Sequence, residues 1–138
     1  MTREIISTQA IDPRRVYVAG LSAGGAMAAI LAGAYPELYA AAGVHSGLAP
    51  GAASDLPSAL SAMKGGGAGP TREQAGSGVP TIVFHGDCDA TVHPNNARAV
   101  VAASAGTGAS VETLAVPGTG NRRHSTRHLY RNCLLYTS

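Results

Sequence analysis

The chain is poor in the residues that several protein classes require. Its 138 residues include no tryptophan, one phenylalanine and two cysteines, and only 13% of them are charged. The cysteines, Cys88 and Cys133, are too few for a disulfide framework, and they lack the neighbours of a zinc site. No run of residues approaches the ~18 consecutive apolar side chains of a transmembrane helix. Disulfide-rich, zinc-binding and membrane-spanning classes are therefore excluded by composition.

Charge of either sign is scarce as well. The formal net charge is +2, and no useful run of Lys or Arg precedes the C-terminal stretch. A nucleic-acid interface needs a concentrated basic face, so we expect neither nucleic acid nor a membrane as a partner. The five histidines show no helical spacing that would pair them on a metal, and no metal or cofactor is predicted. With 45% hydrophobic residues, the chain has the length and composition of one folded domain.

Strand-like and helix-like segments alternate along the chain. Short β-branched runs bounded by glycine predict strands, and apolar runs closed by proline predict helices. The first strand is expected to be buried on both faces, and the helix after it, apolar all round, is expected to be buried. This order predicts an α/β fold with a mostly parallel sheet and crossover helices. The predicted strands are 15–20, 41–46, 81–86 and 111–116, and the predicted helices are 3–9, 23–34, 57–63 and 95–104.

The segment 64–80 interrupts this alternation. It is rich in glycine, and it is long for a simple connection between elements. We interpret it either as a loop that borders a substrate cleft or as an ordinary solvated loop.

A nucleophile elbow is predicted where the first strand meets the next helix. The residues from Gly20 to Gly24 fit the pattern G-x-S-x-G, with Ser22 at its centre. In such a turn the serine is strained and its neighbours are glycines because backbone lies too close for side chains, while the N–H of Ala23 becomes a donor to a developing oxyanion. The alternatives are a glycine-rich turn with an incidental serine, or a phosphate loop. A phosphate loop would need G-x-G-x-x-G or a following lysine, and neither is present.

A carboxylate follows the third strand of the parallel set. Asp87 and Asp89 both lie just after this strand, where a carboxylate would share a sheet edge with the serine. Its function would be to orient a catalytic imidazole. We favour Asp89 as the acid and expect Asp87 to hydrogen-bond the turn. Both could instead be ordinary turn residues, because aspartate is common in turns.

The catalytic base is the least defined member of the predicted triad. In the order serine, acid, histidine, the base follows the acid. His93 is too close to the acid along the chain, and the strand-end residues His45 and His85 are interpreted as structural. His124 and His128 remain, and both lie in an Arg-rich polar stretch without a Gly-rich loop.

Several blocks of the sequence together resemble one family. They lie at Ile11–Met27, Tyr35-Pro36, Val44–Gly47 and Pro80–Pro94, the last with the pattern His-Gly-x-x-Asp-x-x-Val. These blocks resemble the polyhydroxybutyrate depolymerase family of esterases, which includes feruloyl and acetylxylan esterases. The resemblance implies a partial α/β-hydrolase fold, with Ser22 as the nucleophile and Asp89 as the acid.

The resemblance also implies that the chain is the middle of an esterase domain. Residues 122–132 are similar to a polar hairpin that precedes the family's catalytic histidine, so the base is expected beyond residue 132. Met1 is expected to be an internal residue, and nothing matches the family's oxyanion loop before the elbow. Residues 133–138 resemble a translated sequencing adapter, so we expect the esterase domain to cover 1–132 and Cys133 to be non-native.

The function implied is hydrolysis of a carboxylic ester through an acyl-enzyme. The expected partner is an ester substrate, either a hydroxyalkanoate polymer or oligomer or a plant-wall ester, and the family resemblance implies secretion. The chain by itself is expected to be inactive without the histidine. Alternatives are a serine peptidase or dienelactone-type hydrolase of the same fold, or a non-catalytic degenerate hydrolase or polymer-binding module.

Overall fold

A computed structural model describes residues 1–65, 77–106 and 108–131. The adapter-like residues 133–138 and most of the glycine-rich segment lie outside these ranges. The helices are α1 Thr2–Thr8, α2 Ala23–Ala34, α3 Leu56–Gly65 and α4 Asn95–Ala105, with one 3₁₀ turn at Pro13–Arg15. The strands are β1 Tyr17–Leu21, β2 Ala41–His45, β3 Thr81–Phe84, β4 Ser110–Val116 and β5 Ser125–Arg131. Each predicted helix and strand is present, with ends shifted by at most two residues.

The first three strands form one parallel sheet in the order β1-β2-β3. In register, Leu21 of β1 lies opposite His45 of β2, and His45 lies opposite Phe84 of β3. The carboxyl ends of all three strands therefore meet at one edge, which is where parallel α/β sheets bind their ligands. The predicted α/β fold with a parallel sheet is confirmed.

One face of this sheet carries the core. Val44 and Val100 are almost fully buried and pack with Ala29 and Ala49, and a second cluster forms around Ala32 and Ala42. The helices α2 and α4 contribute these contacts, so small alanine side chains let both helices approach the strands closely.

The opposite face of the sheet is exposed in the described part of the chain. Tyr17 and Leu21 of β1 are each 64% exposed, and Ile82 and Phe84 of β3 are also exposed. Alternating side chains point to opposite faces of a strand, which explains why these positions share one side. The prediction that the first strand is buried on both faces is therefore wrong for these residues, because helices cover only the other face.

The helix α2 is likewise buried on one side only. Gly25, Ala28, Ala29 and Ala32 are buried, whereas Met27 and Ile30 are about half exposed. The prediction of a helix buried all round is wrong, since the side that carries Met27 and Ile30 is left about half exposed by the described residues. Within the same ranges, no helix is long and apolar enough to cross a membrane.

The fourth strand does not extend the parallel sheet. Instead, β4 pairs antiparallel with β5 from Ser110↔Arg131 to Val116↔Ser125, as a separate two-stranded sheet. The expectation that the fourth strand joins the parallel sheet is therefore wrong. The alternation of polar and apolar residues in β4 is the pattern of an antiparallel ribbon with a solvated face, whereas buried parallel strands are apolar throughout.

Candidate active site

The turn after β1 holds Ser22 in a backbone conformation that residues with a side chain rarely adopt. Ser22 is the single residue between β1 and α2, and its φ is 56° with ψ −120°. A positive φ at a residue with a Cβ costs of order 1–3 kcal/mol and persists only where surrounding contacts enforce it. Here the Ser22 N–H donates to the His45 carbonyl at 2.8 Å, and the Ser22 carbonyl accepts from the Ala26 N–H at 3.0 Å. The turn thus joins β2 as well as the elements on either side.

Close backbone packing under the turn explains some of its glycines. A Cβ on Gly20 would lie 2.1 Å from the Gly24 carbonyl oxygen, and one on Gly25 would lie 3.0 Å from the Gly20 oxygen. A Cβ on Gly24, by contrast, would meet nothing within 4 Å. The expectation that both glycines of G-x-S-x-G are sterically required is therefore wrong for Gly24. The tight positions are Gly20, Gly25 and, across from the helix, Gly47, where a Cβ would lie 2.9 Å from the Ala26 nitrogen.

The N-terminus of α2 lies immediately after Ser22. Ala23 is the first residue of this helix, and N–H groups in the first turn of a helix have no acceptor within the helix. The helix dipole adds partial positive charge at the same end. Ala23 thus has the position required of a donor to negative charge that develops beside the Ser22 hydroxyl.

Asp89 lies in the turn after β3 and is held on both carboxylate oxygens. Oδ1 accepts the N–H groups of Thr91 and Val92, each at 2.9 Å, and Oδ2 accepts the Ser46 hydroxyl at 3.0 Å. The side chain is 20% exposed, so one side of the carboxylate remains accessible. The N–H groups of Val92 and Thr91, with smaller effects from Ser46 and from the charge of His85, hold the pKa of Asp89 below its ordinary value. Asp89 is therefore ionised at neutral pH.

Asp87, the competing carboxylate, is exposed in the same turn. Among the described residues no hydrogen bond to its carboxylate is formed, and the turn is held by Asp89 itself. The expectation that Asp87 hydrogen-bonds the turn is wrong, because Asp89 is the residue whose side chain reaches the N–H groups two and three positions later.

The two histidines near the acid hold local backbone. The His85 side chain is only 6% exposed, and its Nε2 lies 2.7 Å from the Val92 carbonyl oxygen and 3.7 Å from Oδ2 of Asp89. Its Nδ1 is buried and has no hydrogen-bond partner in the described part of the structure. His93 accepts the Asn95 N–H on Nδ1 at the start of α4. His85 and His93 therefore both contact the backbone close to Asp89, but one buried nitrogen of His85 is left without a partner among the described residues.

The remaining histidines are His45, His124 and His128. His45 stacks against Phe84 with ring centroids 6.4 Å apart. In the hairpin, Nδ1 of His128 lies 3.0 Å from the Thr113 hydroxyl, and His124 is exposed just before β5. Within the described ranges, no histidine ring donates a hydrogen bond to Asp89, and no group of three His, Cys, Asp or Glu side chains could hold a metal ion.

The sequence analysis assigns no role to Ser46 or to the buried glycines Gly25 and Gly47. Ser46 is 8% exposed, has a φ of 47° and is the one side chain outside the acid loop that donates to Asp89 in the described structure. The block Val44–Gly47 supports the family resemblance, but no pattern within it indicates a contact between Ser46 and Asp89. The sequence feature that indicates Ser46 is a polar residue at the end of the predicted strand 41–46. In the structure this strand is the one that pairs with both other parallel strands.

The charge of Asp89 predicts how stability varies with pH. Because its pKa is lowered by folding, Asp89 stabilises the fold above its unfolded pKa, and this contribution is lost as pH falls through the folded pKa. We expect the Asp89→Asn variant to lose less stability than the parent between roughly pH 5 and pH 2. Urea unfolding at several pH values measures this. Asp87→Asn is the matched control, and an equal change in both variants would contradict the prediction.

Comparison with known proteins identifies the family. The family model described as Esterase PHB depolymerase matches residues 1–127. The chain belongs to this family of esterases. The poly(3-hydroxyalkanoate) depolymerase C of Paucimonas lemoignei is 34% identical over 112 residues, covering 73% of this chain and 27% of that protein. Acetylxylan esterase A of Aspergillus ficuum is 31% identical over 107 residues, covering 66% of this chain and 35% of the relative.

The solved structure of a similar esterase supports the fold. The acetyl xylan esterase from Aspergillus awamori superposes with a TM-score of 0.59 at 30% identity, over 70% of this chain and 41% of that one. The chain therefore spans between about a quarter and two fifths of the length of these relatives. The expected kinship with polyhydroxybutyrate depolymerases and plant-wall esterases is confirmed.

Proposed function

We propose that this chain carries the nucleophile and the acid of a serine carboxylic-ester hydrolase. The observation that carries the proposal is the strained Ser22 between β1 and α2, at the sheet edge where the Asp89 loop follows β3. Membership in a family of esterases supports the same reaction. Strain at a polar residue beside a helix N-terminus is typical of a reactive group that the fold exposes at some cost in stability.

The proposed reaction has two stages. The Ser22 hydroxyl attacks the ester carbonyl while its proton passes to a histidine, and the Ala23 N–H stabilises the oxyanion. The alcohol leaves with that proton, and water then hydrolyses the acyl-enzyme by the same route. The ionised Asp89 fixes the tautomer of the imidazole and stabilises its cationic form.

We propose that the histidine base is a residue outside the described ranges. The rings of His85 and His93 are engaged with local backbone, and the hydrogen bonds to Asp89 come from backbone and from Ser46. His124 is the alternative, as an exposed residue just before β5.

The proposed substrates are esters of the kinds named in the relatives. These names are poly(3-hydroxyalkanoate) depolymerase, acetylxylan esterase and feruloyl esterase. Hydroxyalkanoate polymers or oligomers and acetyl or feruloyl esters of plant walls are accordingly proposed as substrates, and secretion is proposed with them.

The test compares the 138-residue chain with the protein encoded by the complete reading frame of its source gene. We expect the complete protein to hydrolyse p-nitrophenyl butyrate and not peptide amides. A fluorophosphonate should add covalently to Ser22, located by mass spectrometry of the tryptic peptide. The 138-residue chain should react at least about 10³-fold more slowly, because among its described residues no histidine ring donates a hydrogen bond to Asp89.

Three outcomes would overturn parts of the proposal. No labelling of a folded complete protein would indicate a non-catalytic module, and faster cleavage of amides than of esters would indicate a peptidase. Full reactivity of the 138-residue chain would place the base within it, and His124→Ala would then identify it. Ser104→Ala is the control for loss of an unrelated serine hydroxyl, and it should change neither ester hydrolysis nor labelling. Its hydroxyl donates only to the Val100 carbonyl within α4.

A further inference from the structure

We propose that Ser46 is a positioning residue that holds the acid in register with the nucleophile. The inference rests on the proposed function, because it assumes that Asp89 orients the base. The geometry that carries it is the hydrogen bond from the Ser46 hydroxyl to Oδ2 of Asp89, at 3.0 Å between residues 43 positions apart.

The position of Ser46 is costly for a serine. Its φ of 47° lies in the left-handed region, where glycine or asparagine is favoured over other residues. The residue is 8% exposed, and its N–H donates to the Phe84 carbonyl at 3.0 Å. A buried hydroxyl needs a partner, and here that partner is the carboxylate.

The contacts of Asp89 divide between local and distant groups. Oδ1 receives two N–H groups from its own loop, which fix the carboxylate relative to that loop alone. Oδ2 receives Ser46, which belongs to the end of the middle strand. Ser46 thereby ties the acid loop to β2, and the preceding residue, His45, binds the Ser22 N–H through its carbonyl. Two consecutive residues therefore contact the nucleophile and the acid.

This arrangement has a chemical consequence for the base. An ionised carboxylate oxygen can accept two hydrogen bonds. With one site of Oδ2 occupied by Ser46, the direction of the remaining site is fixed before an imidazole N–H arrives. Loss of the hydroxyl would leave Asp89 fixed to its own loop but no longer tied to β2, and the imidazole would lose orientation without any loss of substrate contacts.

Two substitutions separate this role from a structural one. Ser46→Ala removes the hydroxyl and keeps the strained backbone, whereas Ser46→Gly removes the hydroxyl and relieves the strain. In the complete protein we expect both to lower kcat about 10- to 100-fold with KM unchanged, as expected for a charge-assisted hydrogen bond. Because both variants lose the hydroxyl and only glycine relieves the strain, we expect Ser46→Gly to unfold at a higher temperature than Ser46→Ala. A glycine variant with full kcat would overturn the proposal.

A second measurement does not depend on catalysis. We expect the pKa of Asp89, followed by the ¹³C shift of its carboxyl group, to rise in Ser46→Ala because a donor to the charged form is lost. Ser104→Ala should leave it unchanged. On an Asp89→Asn background, Ser46→Ala should change kcat less than about 2-fold, because coupled residues are not additive. Unchanged Asp89 titration, or additive losses of kcat, would contradict the inference.

Failure of this inference is distinguishable from failure of the proposed function. If Ser22 is labelled and Asp89→Asn is impaired while the Ser46 variants are normal, only the role of Ser46 is wrong. If Ser22 is not labelled in the parent, the proposed function is wrong, and the ¹³C titration still decides whether Ser46 holds Asp89.

Discussion

Replacing Ser22 with alanine is expected to abolish ester hydrolysis in the complete protein. Removal of the nucleophile in a serine hydrolase lowers kcat by roughly 10³- to 10⁶-fold, leaving only the contribution of oxyanion stabilisation and binding. The alanine keeps the Cβ and hence the strained turn, so its thermal unfolding should match that of the parent. Hydrolysis of p-nitrophenyl butyrate and the melting temperature are the two measurements.

The glycine variant at the same position provides the control for strain. Ser22→Gly also removes the hydroxyl, but glycine adopts a φ of 56° readily. We expect it to be as inactive as the alanine variant and more stable by about 1 kcal/mol. Activity above about 1% of the parent in both variants would show that another residue is the nucleophile.

The second large effect is expected at Gly20, on stability. In Gly20→Ala the added Cβ would lie 2.1 Å from the Gly24 carbonyl oxygen and 2.2 Å from its carbonyl carbon. These are backbone atoms, so relief of the overlap requires β1 and α2 to separate at the turn. We expect a loss of more than about 4 kcal/mol in the free energy of unfolding, which is at the upper end for a single substitution. Urea unfolding followed by circular dichroism measures it.

Gly24→Ala is the matched control in the same motif. Its Cβ would meet nothing within 4 Å, and Gly24 lies in the first turn of α2. Alanine is favoured over glycine in helices by up to about 1 kcal/mol, so we expect a neutral or stabilising effect. Similar destabilisation by both substitutions would contradict the packing described for the turn.

Local patterns were sufficient to predict the elements around the elbow. The strand before Ser22, the helix after it and the turn between them are adjacent in sequence, and glycine and proline mark their ends. The loop after β3 was identified for the same reason, although the aspartate that hydrogen-bonds its turn proved to be Asp89 and not Asp87.

Contacts between distant segments could not be predicted in the same way. The pairing of β4 with β5 depends on which strand is available as a neighbour, and the packing of Gly25 and Gly47 depends on the approach of α2 to the end of β2. The bond between Ser46 and Asp89 joins residues 43 positions apart. No pattern in a single sequence encodes contacts over such separations. For the same reason the G-x-S-x-G motif predicts that Gly24 is sterically required, whereas the packing in the structure requires glycine at Gly25.

The middle strand also determines how far apart the proposed nucleophile and acid stand. Ser22 follows β1 and Asp89 follows β3, and both strands pair with β2 rather than with each other. Two strand spacings amount to about 9.5 Å between the outer backbones, whereas one hydrogen bond spans only about 2.8 Å. For the proposed triad, the order β1-β2-β3 therefore sets the backbone spacing that an imidazole ring has to bridge between Ser22 and Asp89.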